Sequence, residues 1–310
     1  MKAGRRWMTA AQVAASAALL ALAVALARPS KMQATLAGGN GWLFASSFLF
    51  IPVLIALRVA RWHMLARTRR AQMKLAESFH SYMGGLTLAT VTPLAAGELA
   101  RGVYAAPDDK AGFVGLTLLD KAIDAATLVL FACAGLAIVA PGWAKAAGIV
   151  GAVLWAAAWL AARRVAAAVE RRLPNSRIAG ALARALAAAR EVSPKVLALC
   201  LVAAAVNLAL YYVQLYVIMY SLSPTMRPEA VGLFPVITLA SKIPSVSGLG
   251  VREFTAGALF AEARYAVGSA AAVMASFAQF MMVNALPAAA WLVAAGGFRR
   301  LIFKHSGGVE

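Results

Sequence analysis

Long uncharged apolar runs alternate along the chain with short blocks of basic residues. A helix needs ~20 apolar residues to cross the hydrocarbon core, so runs of that length are read as spanning helices. Six meet the requirement, at residues 8–27, 41–59, 113–140, 144–162, 196–221 and 265–298. Two further apolar stretches, 78–106 and 229–263, are interrupted by Pro and Gly and carry charges in their second halves. The first run has an alternative reading as a secretory signal, because Lys2, Arg5 and Arg6 precede it and it ends in Ala25, Leu26 and Ala27. The internal symmetry described below needs this run as a spanning helix.

Composition narrows the class. At 62% hydrophobic residues and a mean hydropathy of +0.76, the 310-residue chain lies outside the range of soluble globular proteins. Its 30 Lys and Arg against 12 Asp and Glu give a formal charge of +18. Those positives sit between the apolar runs, which excludes a nucleic-acid surface and points to membrane topology instead. With the basic blocks placed in the cytoplasm, 21 basic residues fall on that side, including Arg58, Arg61 and the eight from Arg163 to Lys195, against 5 on the other. Both termini are then cytoplasmic, Trp7 and Trp62 mark the inner interface, and Trp42 and Trp143 mark the outer one. Cys133 and Cys200 stand alone in apolar runs, and His63, His80 and His305 share no metal-ligand spacing, so neither a metal nor a cofactor is expected.

This orientation forces 78–106 to begin and end inside and 229–263 to begin and end outside. Both are therefore expected to be re-entrant helical hairpins, which must line a cavity because irregular backbone at membrane depth is tolerated only within protein or beside water. They align without a gap at an offset of 151. Thr87, Leu88, Ala89, Pro93, Gly97 and Arg101 recur as Thr238, Leu239, Ala240, Pro244, Gly248 and Arg252, six identities in fifteen positions. Each half then reads span, span, hairpin, span in opposite orientation, an inverted repeat of the transporter kind with its site near the midplane. The expected fold is one all-α polytopic membrane domain over 1–310, with repeats at 1–140 and 141–298. A cytoplasmic amphipathic linker occupies 163–195, with Ile178, Leu182 and Leu186 on one face, and a cytoplasmic tail occupies 299–310.

Pro93 and Pro244 are expected to break the hairpins at their tips, with Gly97, Gly248 and Gly250 allowing the turn. The helix that restarts presents N–H groups suited to phosphate, with Arg101 or Arg252 about one turn on as a guanidinium clamp. Charges at membrane depth come out as Arg101, Lys121, Lys242 and Arg252 against Glu98, Asp120, Asp124 and Glu253, a neutral set. Glu98 and Arg101 can pair at i,i+3, Asp120 and Asp124 repel at i,i+4 unless a cation intervenes or one carboxyl is protonated, and Lys121 points elsewhere. The cations are expected to meet a substrate anion while the acids balance them in the empty site. The alternative is a salt-bridge network that only fixes hairpin register.

Three ordered motifs resemble the flippase-like membrane domain of the lysylphosphatidylglycerol synthase family. They are Pro93 to Arg101 with Gly97 and Glu98, Asp120-Lys121 followed by Asp124, and Pro244 to Glu253 with Gly248, Gly250 and Arg252. Arg58, Arg61 and Trp62 also resemble the family's second-span ending. Thr90, Asp120-Lys121 and Ser247 depart from its usual Asn, Glu-Arg and Gly, which affects substrate identity. The resemblance implies movement of anionic lipids or lipid-linked precursors between leaflets of a bacterial inner membrane. No synthase activity is implied, since that belongs to a soluble aminoacyl-transferase domain. An intramembrane enzyme on a lipid-linked substrate, a non-transporting partner of a lipid-modifying enzyme, and a carrier of a small soluble anion are the rival readings.

Overall fold

The computed structural model describes residues 2–92, 96–105, 109–140, 142, 177–242, 248–261 and 263–294, which are helical with no strand among them. Eleven helices are labelled in chain order. They are α1 (Lys2–Ala27), α2 (Pro29–Gly38), α3 (Gly41–Arg67), α4 (Leu75–Val91) and α5 (Ala100–Ala105), the last entered through a 3-10 turn at Ala96–Leu99. Then come α6 (Lys110–Val139), α7 (Arg177–Arg190), α8 (Pro194–Leu222), α9 (Phe234–Ala240), α10 (Val251–Leu259) and α11 (Ser269–Ala294). A 3-10 turn at Pro228–Leu233 leads into α9, and a π-turn at Met281–Ala285 interrupts α11.

Among the described residues, α3, α6, α8 and α11 are long and apolar enough to cross a membrane. They match four of the six expected spans, and the expected span at 8–27 falls within α1. The span expected at 144–162, the tips Pro93 and Pro244, part of the linker and the tail lie outside the described residues. One boundary matters for function. α3 runs on to Arg67, so Arg58 and Arg61 belong to a membrane helix rather than to the cytoplasmic loop to which the charge pattern assigned them.

Helix ends follow local chemistry. Asp109 accepts the Gly112 N–H at 3.2 Å to start α6, and Ser193 accepts the Val196 N–H at 3.3 Å ahead of Pro194 to start α8. α4 stops where Thr92 turns extended at φ −103° and ψ 144°, the bias expected of a residue before proline. The two interrupted stretches then differ. Gly248 and Gly250 have φ of 78° and 85°, so the second segment turns through left-handed glycines as expected. Gly97 has no positive φ; a Cβ there would stand 2.2 Å from the Leu88 carbonyl carbon, so it serves close packing of the 3-10 turn on α4 instead of a left-handed turn.

α3 packs along α8, α5 lies between α4 and α6, and α10 lies among α1, α9 and α11. Ala23 and Ala27 of α1 meet Ala270 and Val273 of α11, and the backbone of α1 at Ser16 passes so close to Gly250 that a Cβ there would lie 2.3 Å from the Ser16 carbonyl oxygen. α1 is thus packed against α10 and α11. The linker helix α7 also differs from a purely surface element. It buries Ala185 and Ala188 against α6 at Gly115, while Leu186 is only partly covered. Small residues let the two backbones approach there.

A close backbone approach also joins α6 to the turn before α9, where a Cβ on Gly135 would lie 2.3 Å from the Gly232 carbonyl oxygen. Gly135→Ala should cost about 1–3 kcal/mol through forced overpacking. Gly38→Ala, with open space around it, should cost much less. Thermal unfolding of both variants in detergent checks this, and equal midpoints would refute it.

Candidate functional site

Asp120 lies on the face of α6 that meets both α3 and α5, and it is 1% exposed on its side chain. Its Oδ1 lies 2.6 Å from Arg61 Nε and its Oδ2 lies 2.9 Å from Arg101 Nη1. Asp124, one turn on, meets Arg61 Nη2 at 2.7 Å and Lys121 Nζ at 3.2 Å. Arg61 is therefore the cation that lets two carboxylates sit at i,i+4 on one helix. Glu98 faces Arg101 at 3.5 Å, the local pair expected from their spacing, and also forms an ion pair with Lys121. Lys121 does not point elsewhere, contrary to the helical-wheel expectation; its long stem brings the ammonium back to both acids.

Aromatic groups hold the deepest guanidinium. Arg101 has its Cζ 4.8 Å from the Trp62 ring centre and 5.3 Å from that of Tyr82. Trp62 Nε1 donates to Ser81 Oγ at 2.9 Å, and Ser81 Oγ donates to the Arg101 carbonyl at 3.0 Å. Trp62 is fully buried by these contacts, so it is part of the site and not an interfacial belt residue as expected. Trp42, in contrast, is widely exposed. Arg58, one turn before Trp62, donates to Asn207 Oδ1 at 3.1 Å and lies within electrostatic reach of Tyr82, Asp124 and Tyr211. Asn207 in turn donates to the Leu54 carbonyl at 3.0 Å, linking α3 to α8.

Arg252 and Glu253 form a second buried cluster. Arg252 Nη2 bonds Glu253 Oε1 at 2.9 Å and the Ser276 carbonyl, its Nε donates to Ser276 Oγ at 2.9 Å, and its Nη1 donates to Tyr211 at 3.4 Å. Phe280 lies 5.3 Å below the guanidinium. Glu253 Oε2 accepts the Gly250 N–H at 2.7 Å, so its carboxylate already occupies the start of α10, where a phosphate was expected. In the first segment the Gly97 N–H likewise goes to Thr92 Oγ1 at 2.7 Å. Arg252 is the second residue of α10 rather than a turn further on. The two clusters communicate through Tyr211, which lies against Arg252 and within reach of Arg58.

The eight predicted charges thus fall into two groups, with Lys242 facing the first from the end of α9, within electrostatic reach of Lys121, Glu98, Asp124 and Arg58. Sequence reasoning missed the direct parts of Arg58 and Arg61, because the positive-inside rule assigns a basic block to water as a unit. The signal was present, since an Arg three residues from another repeats at one helical face. With them included, the set is not neutral. Arg58, Arg61, Arg101, Lys121, Lys242 and Arg252 stand against Glu98, Asp120, Asp124 and Glu253.

Exposure divides these groups. Arg61, Arg101, Asp120, Arg252 and Glu253 are buried, whereas Glu98 is 26% exposed, Asp124 39% and Lys121 40% on their side chains, and Lys242 is exposed. The second set therefore keeps surface that a ligand can reach, and the first does not. Elsewhere, half-buried His63 bonds the fully buried Ser78 at 2.8 Å. His80 Nδ1 accepts from Trp291 at 3.1 Å. No metal-binding group of three or more His, Cys, Asp or Glu occurs among the described residues, and Cys200 is a buried thiol.

Removing one partner from a buried charge pair leaves the other uncompensated, at about 3–5 kcal/mol. Asp120→Ala strands Arg61 and Arg101 and is expected to lose that much stability. Asp124→Ala, at the accessible rim, should lose well under half of it. Unfolding of the two variants in detergent measures the difference; equal losses would contradict the division into base and rim.

A family model described as the lysylphosphatidylglycerol synthase TM region matches residues 9–286. No curated protein and no solved structure matches the chain.

Proposed function

The chain belongs to the family of the lysylphosphatidylglycerol synthase transmembrane region, and from that membership and the site geometry we propose that it is a lipid translocator. It moves an anionic phospholipid or lipid-linked precursor between leaflets of a bacterial inner membrane. The headgroup passes through the polar cavity while the acyl or prenyl tails stay in the bilayer. The observation that carries this reading is that Arg58, Arg61, Arg101, Lys121 and Lys242 outnumber Glu98, Asp120 and Asp124 in a cluster whose Glu98, Asp124, Lys121 and Lys242 keep accessible surface. Intramembrane ionisable residues are costly, at ~2.5–3.5 kcal/mol each even on lenient scales, and mark substrate pathways.

In this reading 78–106 and 229–263 are re-entrant hairpins of an inverted repeat with six spanning helices. Packing supports the pairing of halves, because α5 packs on α6 in the first half as α10 packs on α11 in the second, and α3 and α8 pair between them. Lys121 and Lys242 meet the phosphate at the rim. Glu98 holds the place of the substrate anion, since its carboxylate engages Lys121 and, more loosely, Arg101. An entering phosphate takes over both cations, and Glu98 swings out. Arg101 and Asp120 stay at the base, and Arg252 with Glu253 keeps the second segment closed until the protein alternates. Neither chemistry nor a lipid-modifying partner enzyme is required by this arrangement, and the protein acts as a transporter without a cofactor.

The test uses purified protein in liposomes with headgroup-labelled phosphatidylglycerol and phosphatidylcholine. Wild type should exchange the anionic lipid between leaflets and leave the zwitterionic one behind. The Lys121→Gln, Lys242→Gln double variant should exchange it at least tenfold more slowly at unchanged thermal stability, because neither lysine anchors a buried carboxylate alone. Equal exchange of both lipids, or wild-type rates in the double variant, would overturn the proposal.

A further inference from the structure

The charge balance of the accessible cluster specifies more than the sign of its ligand. Five cations converge there, Arg58, Arg61, Arg101, Lys121 and Lys242, with three carboxylates, Glu98, Asp120 and Asp124. The Arg252 and Glu253 pair is neutral by itself. Arg61, Arg101 and Lys121 each contact two carboxylates directly. Arg58 and Lys242 contact no carboxylate among the described residues. Arg58 has a neutral partner in Asn207, and Lys242 reaches the cluster only through space. Among the described residues the surplus is therefore two positive charges, one from each half of the chain, and both lie within electrostatic reach of the same carboxylate, Asp124.

Resting on the translocator reading, we propose that the transported headgroup carries two negative charges at its phosphate end, as a phosphomonoester or a pyrophosphate ester does. A phosphomonoester carries about −1.5 to −2 at neutral pH, with a second pKa of ~6, whereas a phosphodiester carries one charge. Only the former offsets both Arg58 and Lys242. A phosphodiester would leave one cation at membrane depth uncompensated, at the cost that makes such residues rare there. Arg58 approaches from α3 and Lys242 from the end of α9, so the doubly charged group sits between the halves. There it contacts the Lys121 rim and displaces Glu98.

The experiment compares leaflet exchange of labelled phosphatidic acid and phosphatidylglycerol with identical acyl chains in the same proteoliposomes. Wild type should favour the phosphomonoester at least tenfold. Arg58→Gln and Lys242→Gln should each bring that ratio towards one, and Lys242→Arg should retain it. Neither glutamine variant strands a partner charge, and equal thermal stability of the variants keeps folding out of the comparison. Equal or faster exchange of phosphatidylglycerol by wild type would overturn the two-charge assignment while leaving translocation intact. Exchange of neither lipid would overturn translocation and this inference with it. Release of soluble glycerol phosphate from the liposomes, with phosphatidic acid left in its leaflet, would assign the doubly charged site to a soluble ligand and overturn the lipid source.

Discussion

The bridge from Arg61 to Asp120 and Asp124 is the interaction on which the rest of the site depends. Two carboxylates one turn apart on an apolar helix repel, and burial strengthens the repulsion because the surrounding dielectric is low. A guanidinium offers a rigid planar fork whose separate N–H groups hold one oxygen of each in a fixed geometry, whereas an ammonium is a compact point charge on a flexible stem. Meeting that need from α3 fixes the distance and rotation of α3 against α6. Trp62, the next residue, is then placed under Arg101, and Arg101 is placed on the remaining oxygen of Asp120. The short helix α5 carries too few apolar residues to hold its own position. It is located by a charge that α6 already required.

The two halves solve the same problem unequally. In the second, the acid follows directly after the arginine, and Glu253 closes on both Arg252 and the backbone N–H of Gly250. That cluster is complete within one turn, and Ser276 and Tyr211 saturate what remains of the guanidinium. In the first half, Glu98 precedes Arg101 by three residues and lies on a 3-10 turn packed tightly against α4, so it reaches outward to Lys121. One half is sealed and the other carries its acid at partly exposed surface. An alternating carrier needs this inequality at any instant, since a site open to both faces would be a channel.

Much of this was legible in the sequence, for physical reasons that differ by residue. The long apolar runs at α3, α6, α8 and α11 give their helices because crossing a bilayer leaves few alternatives. The local pair of Glu98 and Arg101 follows from spacing on any helix. Arg58 and Arg61 were hidden because their cost at membrane depth is removed by partners far along the chain, and a composition rule sees only the block in which they lie. Trp62 was misplaced for the same reason, being an amphipathic ring whose polar edge found Ser81 rather than a lipid headgroup. Gly97 and Gly248 look identical in alignment, yet one permits contact and the other a left-handed turn. Sequence records that the Cβ is absent and not which of its two consequences is used.

Glu98 shows how a buried ionic network can be both stable and responsive. Arg61 with Asp120 is deep, short and doubly anchored, so opening it would expose three charges at once to a low dielectric. Glu98 is partly exposed, and its contact with Arg101 is the longest in the network at 3.5 Å. Exchanging it for another oxyanion leaves the number of cation contacts unchanged and moves one carboxylate towards water, where it is well solvated. The free energy of that exchange is a small difference between two similar terms. A ligand bound on such terms can leave as readily as it enters. A carrier therefore gains from presenting its own carboxylate as a competitor, because cations left bare in the cavity would hold the phosphate too tightly to release it on the far side.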